Sequence, residues 1–566
     1  MKISQSLSTT ALCLLAISSC SKMGSLTADN FTVTPNPMEA IGGKVPVTID
    51  GRFPEKFMKT KAVVSVIPEI RWQGGSQQGT ATTFQGEKVL ENAIVIPYKV
   101  GGNYTVKNTF NYEPPMEKSE LYLTFKAKVG NKTVKIPDLK VADGVISTSE
   151  LLSRTLQTTG TSLAADAYQR VIKQKQQANI QFLIQQATIR NSELKKTSVT
   201  DFVKTLRDIK ADEERKNLQN VEISAYASPD GGVKLNEKLA VQREKSTNKA
   251  VSKMLKSNKI STNVDTKYTA QDWEGFQELV SHSNLQDKEV ILRVLSMYKD
   301  PQQREEQIKN ISSAFRELAD EILPQLRRAR LTVNYELIGR SDEEIKTQLK
   351  DDASKLSIEE VLYAATLTEN ADEKESIYKT AVKLYPSDYR AYNNLATLAY
   401  AKGNTDEADN YLTKALSLSK SGPEVYANRG LLALRKGNVE EAQQELAKGS
   451  SAEGAGEILG NIYLAQGNYA AAAKSLSQVK SNSAALAQLL NKDYASARQT
   501  LAAIAQPDAT TAYLKAILGA RTGDKSAALS NLEDALSKDN TLCDYASKDL
   551  EFRNYFNDAQ FQNLLK

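Results

Sequence analysis

Three cysteines and one histidine in 566 residues leave little room for metal or nucleophile chemistry. A zinc site usually takes three or four Cys, His or carboxylate ligands, and no cysteine or second histidine stands near His282. Ser-His-Asp chemistry would have to run through the same imidazole. It lies in the polar stretch VSHSN and reads as a surface residue. Asp and Glu are plentiful, but none sits in a context that suggests paired-carboxylate glycan hydrolysis. No catalytic residue, metal or cofactor is expected, and the chain reads as a non-enzyme. Long apolar runs are also missing. The N-terminal run ALCLLAI is far shorter than the roughly 20 residues a spanning helix needs, and no other stretch could span. A net charge of +5 is too small over this length to imply nucleic acid.

What the N-terminus does have is one lysine, that short apolar run and small residues up to Cys20. This is the layout of a secretory signal. Ile17-Ser18-Ser19-Cys20 resembles a bacterial lipobox. The resemblance implies a signal peptide over 1–19, acylation of Cys20 and a lipidated tether over 20–26. Ser21 is not the aspartate associated with inner-membrane retention, and no acidic export run follows. The expected location is the outer membrane, lipid-anchored, on its periplasmic face. Cys13 would leave with the signal and Cys20 would be acylated. Only Cys543 remains, so an intramolecular disulfide is excluded.

At this length three or four domains fit. Residues 27–145 carry short β-branched and aromatic runs: FTVTPNP, VPVTI, AVVSVIPEI, AIVIPYKV, YLTFKAKV and TVKIPDL. Gly, Pro and Asn turns separate them, which predicts an all-β sandwich. Prolines within the runs suggest edge strands. Residues 146–175 read as a polar helical linker. Residues 176–342 alternate strand and helix, an α/β pattern: ANIQFLIQQ, a helix over 200–217, VEISAYA, a helix over 234–257, NVDTKY and ARLTVNYEL. A helical insertion occupies about 271–323.

Residues 350–566 read as an all-α repeat array. Tyr392 and Tyr426, Gly403 and Gly437, Ala408 and Ala442, and Ala415 and Gly449 are each 34 apart. That is the tetratricopeptide period. Ser357 and Glu360 form a capping-box pattern at its start. GAGEILG at 454–460 reads as repeat-crossing and turn glycines rather than a phosphate loop. Asn393, Thr397 and Tyr400, one or two turns apart on one helix, are the candidate lining of a partner-binding concave groove.

AYASPDGGVKLNEKLAVQREKS, with the closing LRRARLTVNY, resembles the OmpA C-terminal family. The family binds the diaminopimelate of peptidoglycan with an aspartate after a strand and an arginine 15 residues later. That logic needs a carboxylate for the ammonium and a guanidinium for the carboxylate. Here the arginine position is Arg243, while the aspartate position holds Ser228. Asn236 and Leu239 match other helix positions. Asp230 is either a substitute acid or a turn residue before Gly231-Gly232, and the turn reading is favoured. The whole layout resembles a Bacteroidetes envelope lipoprotein of the YASP type. Four functions compete: an envelope adaptor with protein partners in the repeat groove, in an outer-membrane assembly or secretion complex; a peptidoglycan tether; a glycan hydrolase; and a surface or fimbrial assembly component. The adaptor is the expected one.

Overall fold

The computed structural model describes residues 23–310 and 316–566. The signal segment and Cys20 lie outside the described residues. Two compact units emerge. One joins residues 23–165 to 369–566, and the other comprises 166–368.

The first unit opens with two sheets around an apolar core. Strands Phe31–Thr34, Lys44–Phe53 and Gly102–Asn111 form one antiparallel sheet. The other is built on the pair Ala62–Trp72 and Glu120–Val129. Alternation does the work: Val45, Val47 and Ile49 point inward, and the residues between them point to solvent or are half-buried. Phe53 stacks on Phe57 at 5.1 Å and meets Phe84 edge-on.

Two expectations fail here. Pro46 and Pro68 are not on edge strands. Both strands are central in their sheets. Each proline stands where the ladder on one side is interrupted. Pro68 falls between the pairings that end at Val66 and begin at Glu69, and Pro46 lies beyond the last pair, Thr34 with Thr48. A missing N–H costs nothing at such a gap. The run AIVIPYKV is also not a sandwich strand. Only Ile94–Val95 pairs, the rest is loop, and Ile94, Val95 and Val100 are all exposed.

The segment expected as a helical linker is helical only briefly. Short turns over Thr148–Leu151, Leu152–Thr155 and Leu156–Thr158 give way to an extended stretch from Thr159. Gly160 and the β-branched Thr159 and Thr161 favour that change. A strand then begins at Val171.

Helical hairpins follow: Tyr389–Ala401 with Thr405–Leu418, Pro423–Arg435 with Val439–Lys448, Ala455–Ala465 with Tyr469–Ser475, Asn482–Leu490 with Tyr494–Ala502, and Ala509–Arg521 with Lys525–Lys538. Each turns through a residue in the left-handed region. Gly403 and Gly437 have φ +84°. Lys492 takes the same place with φ +62°, where glycine would carry no Cβ strain. GAGEILG is a repeat element as expected. Gly454 turns into the helix Ala455–Ala465, and a Cβ on Gly460 would lie 2.4 Å from Leu476.

The unit 166–368 has a four-stranded sheet, spatially ordered Val171–Gln181, Arg328–Ile338, Lys216–Tyr226, Asn263–Thr269. Helices Thr197–Ala211 and Val233–Ser257 cover one face through Phe202, Leu206, Val251 and Leu255. Helices between Trp273 and Leu326 build a separate apolar core around Phe276, Ile291 and Leu326. Ser357 and Glu360 do form a capping box, on the helix Ile358–Ala364. That helix belongs to this unit, so the box does not open the repeat array.

Candidate functional site

Two places bring candidate residues together, one in each unit. The first is the face of the repeats that carries the helix Tyr389–Ala401. Asn393, Thr397 and Tyr400 do lie on one face of the helix Tyr389–Ala401, but they are not an open surface. Asn393 is 0% exposed, Thr397 5% and Tyr400 4%. The chain's own segment 156–165 lies over them. The Tyr400 hydroxyl donates to the Leu156 carbonyl at 2.5 Å. The Asn393 amide donates to the Ser162 carbonyl at 3.0 Å. Thr397 turns back to the Asn394 carbonyl in its own helix, at 2.8 Å.

Two further residues, Asn394 and Asn428, carry most of this clamp. The Asn394 side chain accepts from the Ala164 N–H at 2.9 Å and donates to its carbonyl at 3.0 Å. Asn428 repeats the pattern one unit later: its oxygen accepts from the Ser162 N–H at 2.8 Å, and its amide donates to the Ser162 carbonyl at 2.7 Å. A side-chain amide offers one donor and one acceptor face, as a neighbouring strand would. Ser162 and Ala164 point inward and Leu163 outward, the period of an extended strand. Asn394 and Asn428 are 34 apart, as are the tyrosines two residues before each. That shared phase was the signal that could have found them.

The segment is held at its start as well. The Ser147 hydroxyl donates to Glu117 at 2.8 Å and lies 3.2 Å from the Tyr545 hydroxyl. Thr148 donates to Glu551, which also receives Arg521. Arg154 meets Asp539 at 2.7 Å. Below them, burial and the neighbouring Glu551 push the Asp549 carboxyl up to about 7, while it accepts from the Tyr513 hydroxyl at 2.9 Å.

The second place is the AYASPDGG loop. Arg243 is 1% exposed, and its guanidinium donates to three carbonyls: Gln186 at 3.0 Å, Tyr226 at 2.9 Å and Leu183 at 3.4 Å. It sits over the Phe182 ring at 5.2 Å. Burial, then repulsion from Arg327, pushes it down to about 10, against attraction from Asp230. Asn236 is spent on the loop itself, donating to the Ser228 and Gly231 carbonyls at 2.9 and 2.7 Å. Leu239 is buried beside Ala227 and Ala240.

Asp230 is more than a turn residue. Its carboxylate accepts from the Ser228 hydroxyl and pairs with Arg327 at 3.0 Å. Arg327 was the residue sequence reasoning passed over, although it stands in the closing LRRARLTVNY stretch. The helical insertion closes over this point. Pro229, Asp230, Trp273, Phe276 and Leu323 help to line a cavity of about 20 Å³, room for about one water. Asp272 anchors the insertion, accepting from the Gly275 N–H at 2.9 Å and from the buried Arg328 at 3.0 Å. Asp230 and Arg243, the acid and the guanidinium that a peptidoglycan clamp would need, are both engaged within the protein. His282 is exposed at a helix end.

The tetratricopeptide-repeat family profile matches residues 389–421. No curated protein matches the chain. Among solved structures, a tetratricopeptide repeat protein from Parabacteroides merdae is 16% identical with a TM-score of 0.28, over 46% of this chain and 98% of that one. PilF of Pseudomonas aeruginosa is 21% identical with a TM-score of 0.26, over 40% and 98%. PilW, described as a type IV pilus biogenesis factor, is 17% identical with a TM-score of 0.27, over 38% and 100%. At these scores the molecules do not superpose as wholes, and nothing about the activity of this chain follows from them.

Proposed function

We propose that the protein is a non-enzymatic scaffold of the cell envelope, held to the periplasmic face of the outer membrane by lipid on Cys20. Its repeats engage extended polypeptide through side-chain amides. The observation that carries this reading is the pairing of Asn394 and Asn428 with the main chain at Ala164 and Ser162. Contacts to main-chain atoms hold a strand without reading its side chains, and stacked repeats offer an extended surface for such binding. In this chain the groove holds its own segment, so protein partners meet the remaining repeat surface and the unit 166–368. An outer-membrane assembly or secretion complex is the expected setting.

Photo-crosslinkers at the exposed positions Lys379 and Ser530 test the scaffold in cells. Adducts with another envelope protein are expected; absence of any adduct at both positions contradicts the reading. Protease added to intact cells separates it from a surface or fimbrial component: the periplasmic scaffold stays uncut. The OmpA-like sequence resemblance is the basis for a second reading as a peptidoglycan tether, which would need Asp230 to leave its pairing with Arg327.

A further inference from the structure

Among the described residues of 23–146, every large aliphatic side chain that stands exposed falls within eleven residues: Leu90, Ile94, Val95 and Val100. Leu90 is 101% exposed. A single exposed leucine needs no explanation, but a cluster on one loop does.

The loop is built, not frayed. Buried Gln85 donates to the Val89 carbonyl at 3.1 Å and accepts from the Ala93 N–H at 3.2 Å. The Ile96 N–H donates to the Gln85 carbonyl at 2.8 Å, and the Ile96 side chain is buried. The Lys88 N–H donates to the Thr60 carbonyl at 2.7 Å, and the Lys56 N–H to the Tyr98 carbonyl at 2.6 Å. These bonds tie the loop to residues 54–61 at one end of the sandwich and hold the four apolar side chains outward.

Lysines ring the same end. Lys56, Lys61, Lys88 and Lys99 are exposed, and Lys59 is half-buried. Glu55, Glu87 and Glu91 are the acids interspersed among them. Lys59 and Lys61, with Thr60, Tyr98 and Val129, wall an open depression of about 500 Å³. The Lys59 ammonium lies 3.3 Å from the Tyr98 hydroxyl and 4.9 Å from its ring centre. Apolar side chains ringed by lysine are the composition of a surface that enters the headgroup region of an anionic bilayer.

The path of the chain points to the same end. Met23 is buried in the sandwich core, and Gly24 packs against Phe57. Cys20 precedes Met23 by three residues, a reach of at most about 11 Å. The opposite end of the sandwich is covered by the repeats: a Cβ on Gly144 would lie 2.5 Å from Leu550, and a Cβ on Gly42 would lie 2.9 Å from Gln466.

We propose that the loop 86–101 and its flanking lysines form a membrane-contact surface that rests on anionic phospholipid headgroups and orients the sandwich there. The orientation rests on the lipid-anchor reading of Cys20, while the surface chemistry does not. The test uses the chain from Ser21 onward with an N-terminal histidine tag, docked on vesicles that contain a nickel-chelating lipid. With Cys543→Ser, an environment-sensitive dye is placed through Leu90→Cys, or through Gln73→Cys at the opposite end. On phosphatidylglycerol-containing vesicles the dye at position 90 shifts to the blue and brightens about twofold or more as it leaves water. The dye at position 73 does not change, and Lys59→Glu with Lys61→Glu removes most of the response at 90. A dye at 90 that stays in water overturns the proposal, as does an equal response at 73. A shift that follows protein concentration without vesicles would mean self-association and would also overturn it. Acylation is read separately, from the mass of the N-terminal peptide of the cell-derived protein, so the anchor reading can fail without touching this result.

Discussion

Asn394 pairs with Ala164 through both faces of its side-chain amide, accepting at 2.9 Å and donating at 3.0 Å. The two residues are 230 apart in sequence. The contact joins the segment that leaves the sandwich to the first complete repeat. With Asn428 on Ser162, it makes the groove of the repeats a site already filled by the chain that carries it. Sandwich, segment and repeats consequently form one compact unit.

Asn394→Ala strands one N–H and one carbonyl at a buried position. The expected cost is about 1–3 kcal/mol. It should appear as a lower midpoint of chemical unfolding for the unit that contains the repeats. Asn394→Asp should cost at least as much, because a carboxylate cannot donate to the Ala164 carbonyl and is itself buried there. An unchanged midpoint in both variants would show that the segment does not depend on this amide.

Lys492 holds φ +62° where its counterparts Gly403 and Gly437 hold +84°. A non-glycine residue there carries strain of about 1 kcal/mol. Part of that is offset because glycine loses more backbone entropy on folding. Lys492→Gly should therefore stabilise the repeats by a few tenths to about 1 kcal/mol, seen as a higher unfolding midpoint. Gly437→Ala should do the opposite.

Asp549 is raised to about 7 in the folded protein from 3.8 in the unfolded chain, first by burial and then by Glu551 and, more weakly, Glu117. Tyr513 donates to it, and Arg521 beside it neutralises Glu551. Between those two values the folded state binds the extra proton. The contribution of Asp549 to stability is complete below about 4 and is lost as pH rises through about 7. Its slope reaches at most about 1.4 kcal/mol per pH unit. Asp549→Asn should flatten unfolding free energy between about pH 4 and 7, the window set by those values. An equal slope in the variant contradicts the assignment.

Arg243→Ala leaves the carbonyls of Gln186, Tyr226 and Leu183 without their donor. The expected loss is about 2–4 kcal/mol in the unit 166–368. Loss of any binding function in that variant would thus report unfolding as readily as recognition. Asp230→Asn is the better probe of the tether reading. Under the scaffold account the wild-type chain does not co-sediment with purified sacculi. Wild-type sedimentation that Asp230→Asn abolishes would establish the tether instead.

The repeats were legible because their period recurs in the sequence: glycine turns, alanine crossings and paired tyrosines all keep one phase. The strands and helices of the unit 166–368 were legible from apolar periodicity, since Ile180, Phe202 and Val251 all face one core. Partners were harder to read. No local pattern could say that Arg243 would be spent on carbonyls or that Arg327 would reach Asp230. The run AIVIPYKV has strand composition, yet Gln85 folds most of it into a loop through two side-chain bonds. The filled groove was hidden for a similar reason. Its occupant is a polar stretch of small residues more than two hundred positions upstream, held through main-chain atoms that any sequence would supply.

Amide hydrogen exchange over 156–165 in the full chain tests the filled groove most directly. The account predicts that the Ser162 and Ala164 amides, which donate to Asn428 and Asn394, exchange orders of magnitude more slowly than in a free peptide. Asn394→Ala with Asn428→Ala should restore fast exchange there while the repeat helices stay protected. Free-peptide rates in the wild-type protein would contradict the account, because the groove would then be open.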